Sequence, residues 1–168
     1  MENPPAAERK GSYNMKVQYW LMKSEPDVYS IDDLNREKKT CWDSIRNYQA
    51  RNFMRDTMKL GDLVLFYHSN AKPPGIAGIA KVCSKAYPDP TARDEQSGYY
   101  DPKASKEKPI WMMVDVAFVE KFDHFVALDE LRKDNKLSDL LVLKRGMRLS
   151  IQPVEKKHFD QIRKLGEA

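Results

Sequence analysis

The apolar residues of this chain are divided into short runs, and none is longer than about five residues. Leu63 to Tyr67 is such a run, and the turn residues Gly61 and Asp62 precede it. A run of this length fits one buried strand, and it is far below the ~20 residues that a membrane helix requires. The pattern therefore predicts a soluble protein built on short strands, without a membrane partner.

Several segments have the aromatic and β-branched composition of strands. The main ones cover residues 17–22, 63–68, 75–84 and 110–122, and weaker candidates cover 40–42, 140–143 and 149–151. Gly75 and Gly78 indicate a bend or a close approach of another segment. Long helices do not alternate with these strands, which argues against a Rossmann-type sheet. We expect an α+β, mainly β fold, a small β-barrel of five to six strands decorated by short helices.

The helical signals are short. Ser30 precedes Asp33 at the spacing of a capping box, so a helix is expected to begin there. In residues 47–57, Ala50, Phe53 and Met54 share one face. Residues 128–133 and 155–165 are the other helical segments, and the last one is expected to turn Phe159, Ile162 and Leu165 inward. Residues 87–108 are rich in proline and polar side chains and predict a long loop, a feature typical of functional segments.

The composition places few limits on function. A net charge of +4 and a pI near 8.9 permit nucleic-acid binding without demonstrating it. Cys41 and Cys83 are too few for a disulfide scaffold or a zinc site, and the three histidines are scattered, so we expect no metal. We also expect an intracellular monomer without a cofactor. Residues 1–16 lack the apolar core of a signal peptide. They are expected to form a disordered leader before a single domain over residues 17–168.

Six short motifs follow one another along the chain. They are Tyr19-Trp20-Leu21-Met22-Lys23-Ser24-Glu25-Pro26, Trp42-Asp43-Ser44-Ile45-Arg46-Asn47-Tyr48-Gln49-Ala50-Arg51-Asn52, Phe66-Tyr67-His68-Ser69-Asn70, Gly75-Ile76-Ala77-Gly78, Ala86-Tyr87-Pro88 and Arg148-Leu149-Ser150-Ile151-Gln152-Pro153. Together and in this order they resemble the EVE domain of the thymocyte nuclear protein family, from about residue 18 to about residue 165. One position departs from the family pattern, because Ser44 stands where the family usually has glycine.

The resemblance implies a PUA-like fold, related to the YTH domains that read methylated adenine in RNA. EVE domains are associated with modified bases in DNA, so it also implies a non-catalytic reader, DNA in preference to RNA as the partner, and residence in the nucleus. In YTH domains a Lys-Ser pair after the first strand and a downstream Trp contribute to the base pocket. Lys23, Ser24 and Trp42 occupy comparable positions in this sequence.

A flipped base needs a flat ring to stack on and polar groups for its edge. Trp42 is the expected platform, with core packing as its alternative, whereas Trp20 and Trp111 are expected in the core. The candidates for a second wall are Tyr48, Tyr67 and Tyr87, and those for the base edge are Lys23, Ser24, Glu25, Asn47, His68 and Ser69. His68 equally suits a structural role that caps its strand.

Basic side chains supply the candidates for phosphate binding. They are Arg51 and Arg55 on one helix, and the cluster Lys144, Arg145 and Arg148. Solvated surface charge is the alternative for each of them. For Arg46 and Arg51 a further alternative is that they hold the turn after Trp42 in place.

Two other functional classes fit the sequence less well. A hydrolase or nucleotide-modifying enzyme would need a nucleophile and a base, such as Cys41 with His68 or Ser24 with Lys23, but no paired carboxylates or Gly-rich phosphate loop accompany them. A protein-interaction adaptor would use the loop from Tyr87 to Pro109 as its docking surface. Turnover of a modified nucleotide distinguishes the first class, and protein partners without nucleic acid distinguish the second.

Overall fold

One curled sheet of six strands forms the centre of the molecule. In the computed structural model, which describes residues 16–167, the strands in chain order are β1 (Tyr19–Ser24), β2 (Lys39–Cys41), β3 (Leu63–His68), β4 (Gly75–Val82), β5 (Tyr87–Pro88), β6 (Met112–Met113), β7 (Asp115–Ala127) and β8 (Ile151–Val154). The central order is β2-β7-β4-β3-β1-β8, and β5 and β6 form a separate small ladder. Only β1 and β3 pair in parallel within the central sheet. The expected α+β, mainly β fold is confirmed.

Short helices cover the sheet. They are α1 (Ile31–Glu37), α2 (Tyr48–Asn52), which continues as a π-helical turn (Phe53–Thr57), α3 (Leu128–Lys133) and α4 (Lys156–Glu167). The capping box is present, since Ser30 accepts from the Asp33 N–H and the Asp33 carboxylate accepts from the Ser30 N–H. The segment predicted as a strand at residues 140–143 is instead a 3₁₀ turn, Leu141–Leu143. Val142 is buried there, so an apolar segment of this length is compatible with either a buried strand or a buried 3₁₀ turn.

Side-chain alternation along the strands divides the core between the two faces of the sheet. Trp20, Met22 and Phe66 lie on the first face, with Trp42 and the buried residues of α1 and α2. Leu21, Leu65 and Tyr67 lie on the second face, where Phe159 and Ile162 of α4 cover them. The candidate site lies at the first face, and α4 lies on the opposite face.

Register shifts bend the sheet into a half-barrel. They occur between Phe66 and Tyr67 on β3 and at two points between β4 and β7; such bulges increase strand twist. A Cβ atom at Gly78 would lie 2.3 Å from the Glu120 carbonyl oxygen, which explains the glycine at this close approach. The strands β2 and β8 remain as edges, so the curl does not close into a barrel.

The predicted strand at residues 110–122 begins only after Ile110, which has a φ of +61°, and it is interrupted at Val114, between β6 and β7. The chain pairs briefly as β6, and it then joins the main sheet as β7. No helix among residues 16–167 is long and apolar enough to cross a membrane. The predicted leader, residues 1–16, lies outside the described residues except for Lys16.

Candidate functional site

A cavity of about 480 Å³ opens on the first face of the sheet, beside the ends of β1 and β2. We call it the Trp42 cavity. Its walls come from the end of β1 and the following turn, from β2 and the following loop, and from the long loop before β6. The lining residues are Lys23, Ser24, Glu25, Val28, Tyr29, Thr40, Cys41, Trp42, Asp43, Ser44, Ile45 and Tyr99.

Trp42 forms the inner wall and is fixed by the core. Its side chain is 7% exposed, its ring meets Phe66 edge to face at 5.6 Å, and its backbone N–H donates to the Val114 carbonyl over 2.8 Å. The indole N–H groups of Trp20 and Trp111 donate to Asp62 and Asp101. The indole N–H of Trp42 has no acceptor among residues 16–167. A polar donor on a rigid ring therefore remains available at the cavity.

The end of β1 supplies the polar edge of the cavity. Ser24 Oγ donates to the Tyr29 carbonyl over 2.6 Å, so its lone pairs can still accept. Lys23 Nζ lies 5.8 Å from the centre of the Tyr67 ring, which belongs to the second face. Burial lowers the pKa of Lys23. Alternation along β1 thus leaves the Ser24 hydroxyl, and not the Lys23 ammonium group, on the Trp42 side.

The side chains at the two ends of the turn after β1 bond to neighbouring segments. Glu25 is exposed, and its Oε1 accepts from Asn70 Nδ2 over 2.7 Å. The Tyr29 hydroxyl donates to Glu37 on α1 over 2.5 Å. Partial burial and this carboxylate raise the pKa of Tyr29 to about 12. Tyr29 is therefore a neutral aromatic wall at physiological pH.

Arg46 joins the loop after Trp42 to the long loop. Its guanidinium donates to the carbonyls of Ile45 and Tyr99, to Asp89 and to Thr91, in five bonds of 2.8–3.1 Å. A guanidinium has five N–H groups, so every one is occupied. Arg46 therefore positions Tyr99 at the cavity and has no donor left for a ligand.

Asp89 is the buried partner of this arginine. Its carboxylate accepts from the Ser44 N–H, from Arg46, and from both the N–H and the hydroxyl of Thr91. Burial alone would raise the pKa of Asp89, but the hydrogen bonds from Thr91, Ser44 and Arg46 outweigh it and hold this pKa below its ordinary value. The loop therefore depends on a charged, fully bonded carboxylate.

His68 and its neighbours support the cavity from behind. His68 Nε2 accepts from the N–H of Ile31, the first residue of α1, over 3.1 Å, and burial lowers the pKa of His68. The Ser69 N–H donates to the Ser24 carbonyl. Asn47 caps α2 by accepting from the Ala50 N–H. His68, Ser69 and Asn47 do not line the Trp42 cavity.

The expected second walls are corrected by the structure. Tyr67 is buried on the second face, and the Tyr87 hydroxyl donates to Asp115, so that partial burial and this carboxylate raise the pKa of Tyr87. Tyr48 stacks on Trp111 at 4.8 Å. Tyr29 and Tyr99 line the cavity instead.

The basic candidates differ in their availability. Arg55 is engaged in two bonds to Asp56, whereas Arg51 donates to the Ile110 carbonyl and to Asn52 and has two N–H groups without an acceptor among residues 16–167. Arg145 and Arg148 are exposed and form no ion pair within residues 16–167. Their loop reaches the site, because the Lys23 N–H donates to the Ser150 carbonyl.

Comparison with known proteins identifies the family. The EVE domain model matches residues 18–165. This chain belongs to the EVE domain family. It is 44% identical to human thymocyte nuclear protein 1 over 167 residues, covering 89% of this chain and 74% of the relative.

Two solved structures extend the likeness. A crystal structure of the human THYN1 protein in complex with 5-methylcytosine-containing DNA matches with a TM-score of 0.82 and 43% identity, over 90% of this chain and 99% of that one. A hypothetical protein from Leishmania major matches with a TM-score of 0.85 and 49% identity, over 90% and 96% of the two chains. The EVE fold expected from the sequence is therefore confirmed at the level of the backbone.

The catalytic pairs considered from the sequence are not assembled in this EVE domain. The Cys41 thiol lines the cavity, but partial burial and the nearby Asp43 and Asp115 raise its pKa, the reverse of what activates a nucleophile. His68 Nε2 is occupied by the α1 N–H. Ser24 donates to a carbonyl and not to Lys23. Within residues 16–167 no group of three His, Cys, Asp or Glu side chains is placed to hold a metal ion.

Sequence reasoning missed two groups of this EVE site. Tyr29 and Tyr99 complete the walls, and Asp89 fixes the loops. Tyr99 lies in a polar loop and is 50% exposed. Its one local signal is the Tyr99-Tyr100 pair, which is unusual in an otherwise polar, proline-rich segment.

Proposed function

We propose that this protein is a non-catalytic reader that holds a modified base of DNA, flipped out of its strand, in the Trp42 cavity. The observation that carries the proposal is a rigid, ring-lined cavity with a free indole donor, in a chain whose fold matches a relative crystallised with 5-methylcytosine-containing DNA. The volume of about 480 Å³ lies in the range of small-ligand pockets.

The lining suits a methylated pyrimidine. Trp42 and Tyr99 supply aromatic surface, the Trp42 N–H can donate, and Ser24 Oγ can accept from a base edge. Val28 and Ile45 add apolar surface for a methyl group. Unstacking a base costs a few kcal/mol, and stacking on protein rings returns about 1–3 kcal/mol per base, so edge contacts and phosphates must supply the remainder.

Exposed basic groups beside the cavity supply the phosphate contacts. Lys144, Arg145 and Arg148 lie in the loop that leads to Ser150, whose carbonyl accepts from the Lys23 N–H at the cavity. Contacts of this kind give affinity without sequence information. The base in the cavity then distinguishes modified DNA from unmodified DNA.

The protein acts as a monomer in this proposal and has no catalytic step. The geometry of Cys41, Ser24 and His68 supports the absence of catalysis, since none of them is activated. Residence in the nucleus is supported by the names of the thymocyte nuclear protein relatives. DNA is preferred to RNA as the partner because the crystallised relative holds DNA.

A binding panel tests this proposal. Fluorescence anisotropy would compare DNA oligonucleotides that differ only at one position, which carries cytosine, 5-methylcytosine or another modified base, with an RNA of the same sequence. We expect at least one modified DNA to bind more tightly than the unmodified strand by about 10-fold, a difference of about 1.4 kcal/mol. Equal affinity for every oligonucleotide in the panel would contradict a reader function, and conversion of the base on prolonged incubation would contradict the non-catalytic assignment.

A further inference from the structure

A ladder of three aromatic rings and one guanidinium group, formed by Tyr99, Arg46, Trp111 and Tyr48, leads away from the Trp42 cavity. The Arg46 guanidinium carbon lies 5.6 Å from the centre of the Tyr99 ring and 5.2 Å from that of the Trp111 ring. Tyr48 then stacks on Trp111 at 4.8 Å with an interplanar angle of 26°. Tyr48 thus ends a continuous stack that begins at the wall of the cavity.

The outer face of Tyr48 is free among the described residues. Tyr48 is 55% exposed although Trp111 covers one of its faces. Arg51 lies 4.8 Å from the Tyr48 ring and 5.8 Å from the Trp111 ring. If Arg51 lay on the outer face of Tyr48, opposite Trp111, its distance to the Trp111 ring would be close to the Trp111–Tyr48 distance plus the Tyr48–Arg51 distance, which are both 4.8 Å. Arg51 therefore makes cation–π contacts with both rings without lying opposite Trp111, so it does not cover the outer face of Tyr48.

Arg51 brings positive charge to this face. Its bonds to the Ile110 carbonyl and to Asn52 use three of its five N–H groups. Neither partner is a carboxylate, and Asp56, the carboxylate that acts on Arg51 through space, is hydrogen-bonded to Arg55. Asp101 is the carboxylate that contacts Trp111, and it accepts from the indole N–H and from the Lys103 N–H. An open aromatic face beside a cation with free donors matches a nucleotide, which has a flat base and an anionic phosphate.

We propose that Tyr48 and Arg51 form a second subsite, in which Tyr48 stacks a base near the flipped one in the same DNA and Arg51 contacts its phosphate. This inference rests on the proposed reader function. The three steps of the ladder place Tyr48 at most about 16 Å from Tyr99. At ~3.4 Å per nucleotide along a duplex strand, that distance corresponds to no more than about five nucleotides.

The subsite is tested by comparing a long ligand with a short one. The ligands are a 5-methylcytosine-containing 12-mer and the free nucleoside 5-methyldeoxycytidine, and both are titrated by calorimetry. Tyr48→Ala should weaken the 12-mer by about 5- to 150-fold and leave the nucleoside unchanged, while Tyr48→Phe should match the parent protein. Arg51→Gln should lower the slope of log affinity against log salt for the 12-mer by ~0.7–0.9.

Controls separate this inference from the reader function. Lys164→Gln removes one positive charge on α4, on the opposite face, and should leave the salt slope for the 12-mer unchanged. Tyr48→Ala that binds the 12-mer as the parent does would overturn the subsite while leaving the reader intact. An equal loss for the 12-mer and the nucleoside would also overturn it, because Tyr48 would then act only through the cavity wall. Failure of the parent protein to bind either ligand would overturn the subsite, and it would overturn the reader function as well if no other modified DNA of the binding panel were bound.

Discussion

The backbone N–H of Ser44 donates to Oδ2 of Asp89 over 2.7 Å, and this bond joins the two loops that flank the Trp42 cavity. The same carboxylate holds Arg46, which in turn holds the carbonyl of Tyr99. One buried anion therefore fixes the shape of a site whose aromatic walls come from distant parts of the chain.

Removing that anion should loosen the fold. Asp89→Ala leaves Arg46 without its buried partner, and the loss of such a partner costs about 3–5 kcal/mol. We expect the free energy of unfolding in urea to fall by ~3 kcal/mol. Asp94→Ala changes an exposed carboxylate in the same loop and should cost less than ~1 kcal/mol. Equal losses in the two variants would show that Asp89 has no special structural role.

Ser44 provides a stabilising substitution. Its φ is +66°, and the left-handed conformation costs a residue with a Cβ atom about 1–2 kcal/mol. Glycine avoids that cost but loses about 0.5–1 kcal/mol of chain entropy. Ser44→Gly should therefore raise the free energy of unfolding by ~0.5 kcal/mol in urea denaturation.

The matched control for this substitution is Ser138→Gly. Ser138 has a φ of −56°, so glycine relieves no strain there and brings only the entropy loss of about 0.5–1 kcal/mol. The two variants should change stability in opposite directions. A loss in both would mean that the turn at residue 44 is not strained by serine.

Local pattern was sufficient to predict much of the fold. The strands β1, β3 and β4 follow from short apolar runs, and α1 from the Ser30 capping box. Trp42 and Ser24 were placed at the site by the motif resemblance, and they do line one cavity. The sheet is open, with β2 and β8 as its edge strands. No local sequence pattern predicts which strands lie at the edges of a sheet.

The remainder of the site depends on contacts between distant residues. Arg46 and Tyr99 are 53 positions apart, and Asp89 and Ser44 are 45 apart. Neither pair has a periodic signal, because the long loop is irregular. Tyr48 was predicted to wall the cavity, but its ring lies on Trp111 instead. The sequence could identify aromatic candidates, and only the three-dimensional path of the loops selects among them.

His68 predicts a pH dependence. Its neutral Nε2 accepts the first N–H of α1, and burial lowers its pKa from 6.5, with a smaller opposing effect of Asp32 and a smaller reinforcing one of Lys121. Above pH 6.5 the folded and unfolded states are both neutral at this position. As the pH falls from 6.5 through the lower folded-state pKa, the unfolded state takes up the proton first, so stability is lost.

The measurement is the urea midpoint between pH 8 and pH 5. In His68→Gln the amide oxygen can accept from Ile31 without titrating, so the decline below pH 6.5 should become shallower. His124→Gln replaces an exposed histidine that pairs with Glu130 and should retain the decline that His68 causes. A parent-like decline in His68→Gln would assign it to other groups.

The final prediction separates base reading from charge attraction. Trp42→Leu keeps apolar packing against Phe66 but removes the ring and its free N–H, so binding of the modified DNA should fall by about 1–3 kcal/mol. The unmodified strand should lose much less, and the salt slope should stay unchanged because stacking releases few ions. The double variant Arg145→Gln with Arg148→Gln should weaken every DNA alike and lower the slope by ~0.9 for each lost phosphate contact. Thermal melting establishes first that each variant folds. If folded Trp42→Leu distinguished modified from unmodified DNA as well as the parent does, Trp42 would be a core residue and not the platform for the base.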